Sequence, residues 1–330
     1  MRILWLSHSF NLPLDESVAS FKIVSEMANL GHEIFYLGLE WEGCWPTDRI
    51  TFISTAVEKD ISRAIKDAIL KYKPDWLITC LGALEFPSIL FSKLEVPKAF
   101  YLPVGDSIPP QIKLQLGDLG LIFAPTELCH QLIPKSEYVG IGATPTTREE
   151  KEGILMYKGP NNWTASLATV LEAVPEVKYE HPWTLELYTD IREKSNQELV
   201  ASMLPMEHVE YSEFYDCQIG LPIPDGILVS EKMGVVWPVR TSPLPILLTE
   251  CEANGVPFAC PEHPTTAQFR SAWKVPQRSV IWGTWGREAV TSPSDWARAM
   301  EALLEGRVKQ PRVKKPTWKE VAERILSCLE

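Results

Sequence analysis

The chain lacks the cysteine spacing of a disulfide framework or a zinc site, and it has no long hydrophobic run. Its seven cysteines are scattered, odd in number and never in a CxxC arrangement, so we expect reduced thiols. A membrane-spanning helix needs about 18 consecutive apolar residues, which no segment provides. The apolar run at 3–6 is too short for the core of a signal peptide. These absences predict a cytoplasmic globular protein.

Positive charge is also scarce. The 330 residues include 43 acidic and 32 basic side chains, which gives a formal net charge of -11. Binding to nucleic acid depends mainly on cations that neutralise phosphates, so this balance argues against a general nucleic-acid-binding protein. The run 307–315 holds five cations in nine residues, a density more typical of a solvated linker than of a patch for anionic surfaces.

Short apolar runs alternate with amphipathic segments along the chain, which is typical of βαβ units in a parallel sheet. The first unit reads as a strand at 3–6, a helix at 17–30 that ends at Gly31, and a strand at 32–37. The length exceeds that of one ordinary core, so we expect two domains, with a junction in the charged stretch near 145–152.

The segment 233–261 carries the strongest local signal. It reads as a strand, a polar turn, a helix that carries Glu250, and a second strand. The turn consists of Arg240, Thr241 and Ser242. In open parallel sheets, ligands bind at the carboxyl ends of strands, and anions bind at helix N-termini. The turn is therefore predicted to contact an anionic or polyhydroxyl ligand.

This segment resembles the donor-binding segment of the GT-B-fold retaining glycosyltransferases, a large nucleotide-sugar family. The family's hallmark is two glutamates separated by seven residues. The second glutamate matches Glu250, the glycine-x-proline that follows it matches Gly255-Val256-Pro257, and the first falls on Ser242. The resemblance implies an α/β protein with two Rossmann-like doubly wound parallel-sheet domains facing across a cleft.

The same resemblance implies a division of the chain. Residues 1–147 would form an acceptor-side domain, residues 148–315 a nucleotide-sugar donor domain, and residues 316–330 a helix that crosses back to the first domain. Besides 247–257, the likeness is strongest in the first βαβ unit and in the closing helix, which opens with Thr317-Trp318.

The resemblance also implies roles for particular residues. The second glutamate is expected to bind the nucleotide ribose, and the first to meet the transferred sugar. The expected catalytic residues are Asp106 and Ser242. The expected donor contacts are Lys158, Asn161, Asn162, Arg240, Thr241 and Glu250. The expected acceptor-side residues are His8, Asn11, Asp15 and Glu16. We expect no metal and no cofactor, because the nucleotide-diphosphate sugar is a substrate and not a cofactor.

Each of these residues also has a purely structural interpretation. Glu250 could be an acid satisfied by neighbouring backbone amides, and residues 240–242 a polar turn. Asp106 is a candidate general base, but it could equally cap the next turn. Lys158 could be a solvated loop lysine rather than a diphosphate contact.

Three functions remain open at this point. The first is a metal-independent, retaining transfer of sugar to an acceptor that is a glycan, lipid, protein or small molecule, with peripheral membrane contact left open. The second is a catalytically inactive binding or scaffold protein. It is suggested by Ser242 in place of a glutamate, by Gly105 in place of a histidine, and by one lysine in place of an Arg/Lys pair. The third, a DNA-base glucosylating enzyme, is disfavoured by the acidity.

Overall fold

A computed structural model describes most of the chain, in two compact units. The ranges left outside it are 9–14, 40–48, 55–60, 81–93, 109–112, 114–119, 150, 159–165, 189–205, 213–214, 217–220, 223–224, 241 and 284–285. The first unit comprises residues 1–142, 284–286 and 316–330, and the second comprises residues 143–283 and 287–315. None of the helices within the described ranges is both long and apolar enough to span a bilayer.

Seven parallel strands form the sheet of the first unit. They are β1 (Arg2–His8), β2 (Glu33–Leu39), β3 (Ile50–Ser54), β4 (Trp76–Cys80), β5 (Lys98–Tyr101), β6 (Leu121–Ala124) and β7 (Glu137–Tyr138). Their order in space is β3-β2-β1-β4-β5-β6-β7. Strands buried on both faces read as continuous apolar runs, and β1 is an example, because Leu4 is fully buried and pairs with Phe35 and Leu77 on either side.

Among the described residues before 142, three helices accompany this sheet. They are α1 (Asp15–Asn29), α2 (Ile61–Tyr72) and α3 (Glu127–Leu132). α1 buries an apolar stripe that includes Ile23, Val24 and Met27, at the spacing expected for a helix that packs on a sheet. Thr126 caps α3 by accepting a hydrogen bond from the backbone N–H of Cys129.

The second unit is built on a six-stranded parallel sheet. Its strands are β8 (Ile154–Lys158), β9 (Thr184–Tyr188), β10 (Val209–Tyr211), β13 (Gly234–Val236), β14 (Phe258–Pro261) and β15 (Trp273–Val275), in the order β10-β9-β8-β13-β14-β15. Two further pairs of strands are β11 (Tyr215–Asp216) with β12 (Leu221–Pro222), and β16 (Ser279–Gly283) with β17 (Gly286–Val290). The two parallel sheets confirm the prediction of two Rossmann-like α/β domains, whereas the two extra pairs were not predicted.

The described part of the second unit contains four α-helices. They are α4 (Leu167–Ala173), α5 (Asp225–Ser230), α6 (Ile246–Asn254) and α7 (Pro293–Leu304). α6 ends at Gly255, and Ser292 caps α7 by accepting from the backbone N–H of Asp295; glycine and serine are the residue types that favour these two positions. The cationic run 307–315 is not simply a solvated linker, because Lys315 forms an ion pair with the buried Glu252 at 2.5 Å.

The C-terminal helix α8 (Trp318–Leu329) packs against α1 in the first unit. Thr317 and Glu320 form a capping box at its start, with Thr317 N–H donating to Glu320 Oε2 at 2.7 Å. Nη1 of Arg324 donates to the carbonyl of Val139 at 3.0 Å. At Gly142 the backbone approaches Trp318 so closely that an added Cβ would lie 2.7 Å from Cγ and Cε3 of the indole.

Replacing Gly142 with alanine is therefore expected to destabilise the first unit. Overpacking of this kind costs about 1–3 kcal/mol, since the indole or the backbone must move. Urea unfolding followed by circular dichroism measures the change. Gly120→Ala is the matched control, because among the described residues its Cβ would meet only the Lys98 carbonyl, at an ordinary 3.5 Å. Equal stability of the two variants would contradict the packing of Trp318 on Gly142.

Candidate functional site

The strand order of the second unit reverses between β8 and β13. Chain connections leave in opposite directions from such a switch point, and the crevice outside the carboxyl ends of its strands is where doubly wound folds bind ligands. Lys158 is the last residue of β8, and Arg240 follows β13 by four residues. Both cations predicted to contact the donor therefore lie at the place where this topology favours a ligand.

Lys158 forms a buried ion pair with Asp225. Its Nζ contacts Oδ1 of Asp225, the first residue of α5, and both residues are less than a tenth exposed. This excludes the alternative of a solvated loop lysine. Asp225 could not be selected from the sequence, because the two residues are 67 positions apart and no local pattern connects them. Any anion that approaches Lys158 meets a cation whose charge is already partly balanced.

Glu250 lies in α6 with only 2% of its surface exposed. Its two carboxylate oxygens both accept from the backbone N–H of Thr144, at 3.0 and 2.8 Å. The structural alternative for Glu250, in which backbone amides satisfy the acid, therefore holds for this contact with Thr144. A carboxylate can accept several hydrogen bonds at once, so this contact does not preclude the predicted bond to a ribose hydroxyl.

Gly226 joins the two buried acids of the site. It follows Asp225 directly, and a Cβ at this position would lie 2.5 Å from the Thr144 carbonyl oxygen and 3.1 Å from Oε2 of Glu250. Only a glycine permits this approach of α5 to Glu250. Two consecutive residues at the start of α5 therefore connect the site: Asp225 pairs with Lys158, and Gly226 lies against Glu250.

Asn254 extends the anchor that Glu250 provides. It lies one turn further along α6, donates from Nδ2 to the Thr144 carbonyl at 3.3 Å, and accepts at Oδ1 from the backbone N–H of Thr146 at 2.7 Å. Residues four apart share one face of a helix, so Glu250 and Asn254 hold the segment 144–146 together. Asn254 is not among the site residues selected from the sequence, although a Glu and an Asn at this spacing share one face of a helix.

Arg240 is held at the same edge by side-chain and backbone contacts. Its Nε donates to Oγ of Ser166, just before α4, at 2.6 Å, and its carbonyl accepts from the N–H of Ala289 at 3.1 Å. The second contact places β17 beside the turn that follows β13. β17 carries Glu288, which is 2% exposed. Burial raises the pKa of the Glu288 carboxyl above its ordinary value, and the positive charge of Arg240 offsets part of that shift.

Ser242 is buried at the end of this turn. Its Oγ accepts from the backbone N–H of Leu244 at 3.3 Å. Three predicted donor contacts, Asn161, Asn162 and Thr241, and the predicted acceptor-side residue Asn11 lie outside the described residues. Within the described ranges, no group of three His, Cys, Asp or Glu side chains is arranged to hold a metal ion.

The other predicted residues belong to the first unit. Its strand order reverses between β1 and β4, and the half-buried His8 is the last residue of β1. Asp15 and Glu16 form the first turn of α1, where negative charge favours the helix dipole. Asp106 is half-buried in the segment that follows β5. His8 thus lies at the carboxyl end of a switch-point strand, as Lys158 does in the second unit.

Neither a protein-family model nor a curated protein matches the sequence. Solved structures match over almost the whole chain. Anabaena Alr3699/HepE in complex with UDP-glucose has 10% identity and a TM-score of 0.66 over 99% of this chain and 95% of that one. Sucrose-phosphate synthase from Thermosynechococcus elongatus has 12% identity and a TM-score of 0.64 over 100% and 95%. The lipopolysaccharide outer core galactosyltransferase WaaB has 10% identity and a TM-score of 0.57 over 99% and 95%.

At these identities the likeness establishes the fold. The protein has the GT-B fold of glycosyltransferases, and the resemblance seen in the sequence is confirmed at that level. The fold alone does not determine the reaction, since one fold hosts many functions and chemistry depends on the residues of the site.

Proposed function

We propose that this protein is a glycosyltransferase that moves a sugar from a nucleotide-diphosphate sugar to an acceptor. The observation that carries the proposal is the switch point of the second unit, where Lys158, Arg240 and Glu250 lie on neighbouring elements at the carboxyl edge of a GT-B-type sheet. Support also comes from Alr3699/HepE, whose solved complexes contain UDP, UDP with glucose, and UDP-glucose.

In this proposal the nucleotide docks on the second unit. Glu250 accepts from the ribose hydroxyls, and the diphosphate approaches Lys158 and Arg240. The bond between the anomeric carbon and the diphosphate oxygen breaks, a bond to an acceptor oxygen forms, and the acceptor proton passes to a base. Because Asp225 balances Lys158, Arg240 stabilises the larger part of the charge that develops on the leaving diphosphate.

The finer features of the reaction are part of the same proposal. Asp106 is the candidate base, and Ser242 lies on the sugar side of the donor turn. Transfer proceeds without a metal ion and with retention of the anomeric configuration. His8, Asp15 and Glu16 contact an acceptor, which is a glycan, a lipid, a protein or a small molecule.

A second candidate is a non-catalytic binding or scaffold protein with the same fold. A specific observation favours it, since two of the predicted donor contacts are already engaged inside the chain. Glu250 binds the Thr144 amide and Lys158 binds Asp225. A protein that had lost turnover could keep both contacts for stability alone.

Thermal unfolding across UDP-, GDP-, ADP- and TDP-sugars tests the proposal. A ligand that binds only the native state raises the melting temperature by mass action, and saturation at about 100 times Kd corresponds to about 2.7 kcal/mol. We expect a shift with one nucleotide family and none with the free sugars. Release of the nucleotide diphosphate from that donor then separates an enzyme from a binding protein. A folded protein that none of the four families stabilises would contradict nucleotide-sugar binding altogether.

A further inference from the structure

Glu288 is a buried acid that has no role in the proposed sugar transfer. It lies on β17 with 2% of its surface exposed, and its Oε2 forms no hydrogen bond within the part of the chain that the structure describes. A buried carboxyl oxygen without a partner is costly, because it has lost its water and gained nothing in return. A ligand that donates a hydrogen bond to this oxygen would account for its burial.

The position of β17 supports this explanation. The N–H of Ala289 donates to the carbonyl of Arg240, which follows β13. On the other side of Glu288, the carbonyl of Arg287 accepts from Nε2 of His263, just after β14, at 2.7 Å. β17 is therefore fixed at the carboxyl ends of two adjacent strands of the sheet, and Glu288 lies between its two points of attachment.

The chemistry of Glu288 indicates which part of a ligand it binds. A carboxyl group repels a diphosphate, whereas its oxygens accept strong hydrogen bonds from hydroxyl groups. The backbone of Arg240 is bonded to Ala289, the residue next to Glu288, so a positive charge lies near the carboxyl group, and the turn 240–242 contains no acid of its own. A ligand with an anionic part and a polyhydroxyl part matches this pair of groups.

We propose that Glu288 supplies the carboxyl group of the donor site that position 242 lacks, and that its Oε2 accepts a hydrogen bond from a hydroxyl of the transferred sugar. This inference rests on the proposed function and makes it more specific, because it assigns recognition of the sugar to β17. Arg240 then contacts the diphosphate, and Glu288 contacts the sugar.

Calorimetric titration of Glu288→Gln and Glu288→Leu tests the assignment. The probes are the free nucleotide diphosphate and the nucleotide sugar that stabilise the wild-type protein. We expect Glu288→Gln to bind the free diphosphate within about twofold of wild type and the nucleotide sugar about tenfold more weakly, since a charge-assisted bond becomes a neutral one. Glu288→Leu removes the acceptor altogether and should weaken binding of the nucleotide sugar further.

Glu262→Gln is the matched control. Glu262 is an exposed acid that directly follows β14, next to His263. Its replacement therefore makes the same change in charge at the same edge of the sheet. It should bind both probes as wild type does. The unliganded melting temperature of Glu288→Gln should not fall, because the amide removes the cost of burying a carboxylate.

The remaining outcomes overturn the inference in distinguishable ways. Wild-type affinity of both Glu288 variants for the nucleotide sugar would leave the proposed function intact and remove Glu288 from the site. Equal weakening of both probes would show that Glu288 acts on the nucleotide or through the fold. A wild-type protein that binds neither probe would overturn the proposed function itself, and this inference with it.

Discussion

Replacing Lys158 with methionine is expected to lower the free energy of unfolding by about 3–5 kcal/mol, because it leaves the carboxylate of Asp225 buried without its counter-charge. Both partners are less than a tenth exposed, so water cannot compensate. Urea unfolding at neutral pH measures the loss. Lys151→Met is the matched control, since Lys151 and Glu231 form a pair at 2.6 Å whose side chains are 56% and 40% exposed. Exposed pairs of this kind contribute at most about 1 kcal/mol.

The double variant Lys158→Met with Asp225→Leu separates stability from ligand binding. Replacing both partners of a buried pair with apolar residues is often neutral, so we expect most of the lost stability to return. If Lys158 contacts the diphosphate, the double variant stays weak in nucleotide binding although it is stably folded. Full nucleotide affinity in the double variant would assign the pair a structural role only. A loss below about 1 kcal/mol in Lys158→Met itself would contradict a buried pair.

Replacing Glu250 with alanine is expected to abolish stabilisation by the nucleotide, because two strong hydrogen bonds to the ribose are removed. We expect the affinity to fall about a hundredfold, since each factor of ten corresponds to about 1.4 kcal/mol. The unliganded protein should also lose about 1–3 kcal/mol, because the Thr144 N–H is left without its acceptor. The melting temperature of each variant must therefore be measured with and without nucleotide, so that the nucleotide-induced shift is compared with the unliganded form of the same variant.

Glu252→Ala provides the control for this experiment. Glu252 is a second buried glutamate of α6, and it pairs with Lys315 rather than with the segment 144–146. Its loss should destabilise the protein by a comparable amount and leave the nucleotide-induced shift unchanged. If Glu250→Ala kept the full shift, Glu250 would be an anchor for Thr144 and not a ligand-binding residue, which would favour the non-catalytic candidate.

Elements with a strong local signal were predictable from the sequence. β1 was recognisable as a strand because a parallel strand buried on both faces must be apolar throughout. The end of α6 at Gly255 and the cap of α8 by Thr317 follow from side chains within a few residues of the helix ends. The prediction of parallel sheets rested on the alternation of such elements, and the prediction of two domains rested on the chain length. The pair β16–β17 is short and half polar, and the sequence did not predict it.

The candidate site shows where prediction from the sequence ends. A sequence pattern could select Glu250, Arg240 and Lys158 because each lies in or beside a recognisable element. It could not select their partners, because Thr144 is 106 residues from Glu250 and Asp225 is 67 residues from Lys158. Local propensity extends over a few residues, whereas partners at these distances are decided by strand order.

The sequence by itself determined the βα alternation, the helix ends and the segment that carries Glu250, because all of these depend on side-chain period and on capping within a turn or two. Only the tertiary structure decided that Lys158 forms an ion pair with Asp225 and that β17 brings Glu288 close to Arg240. The physical reason is desolvation. A charge removed from water must be balanced by whatever group the folded chain brings to it, and the order of the strands in the sheet determines which group that is.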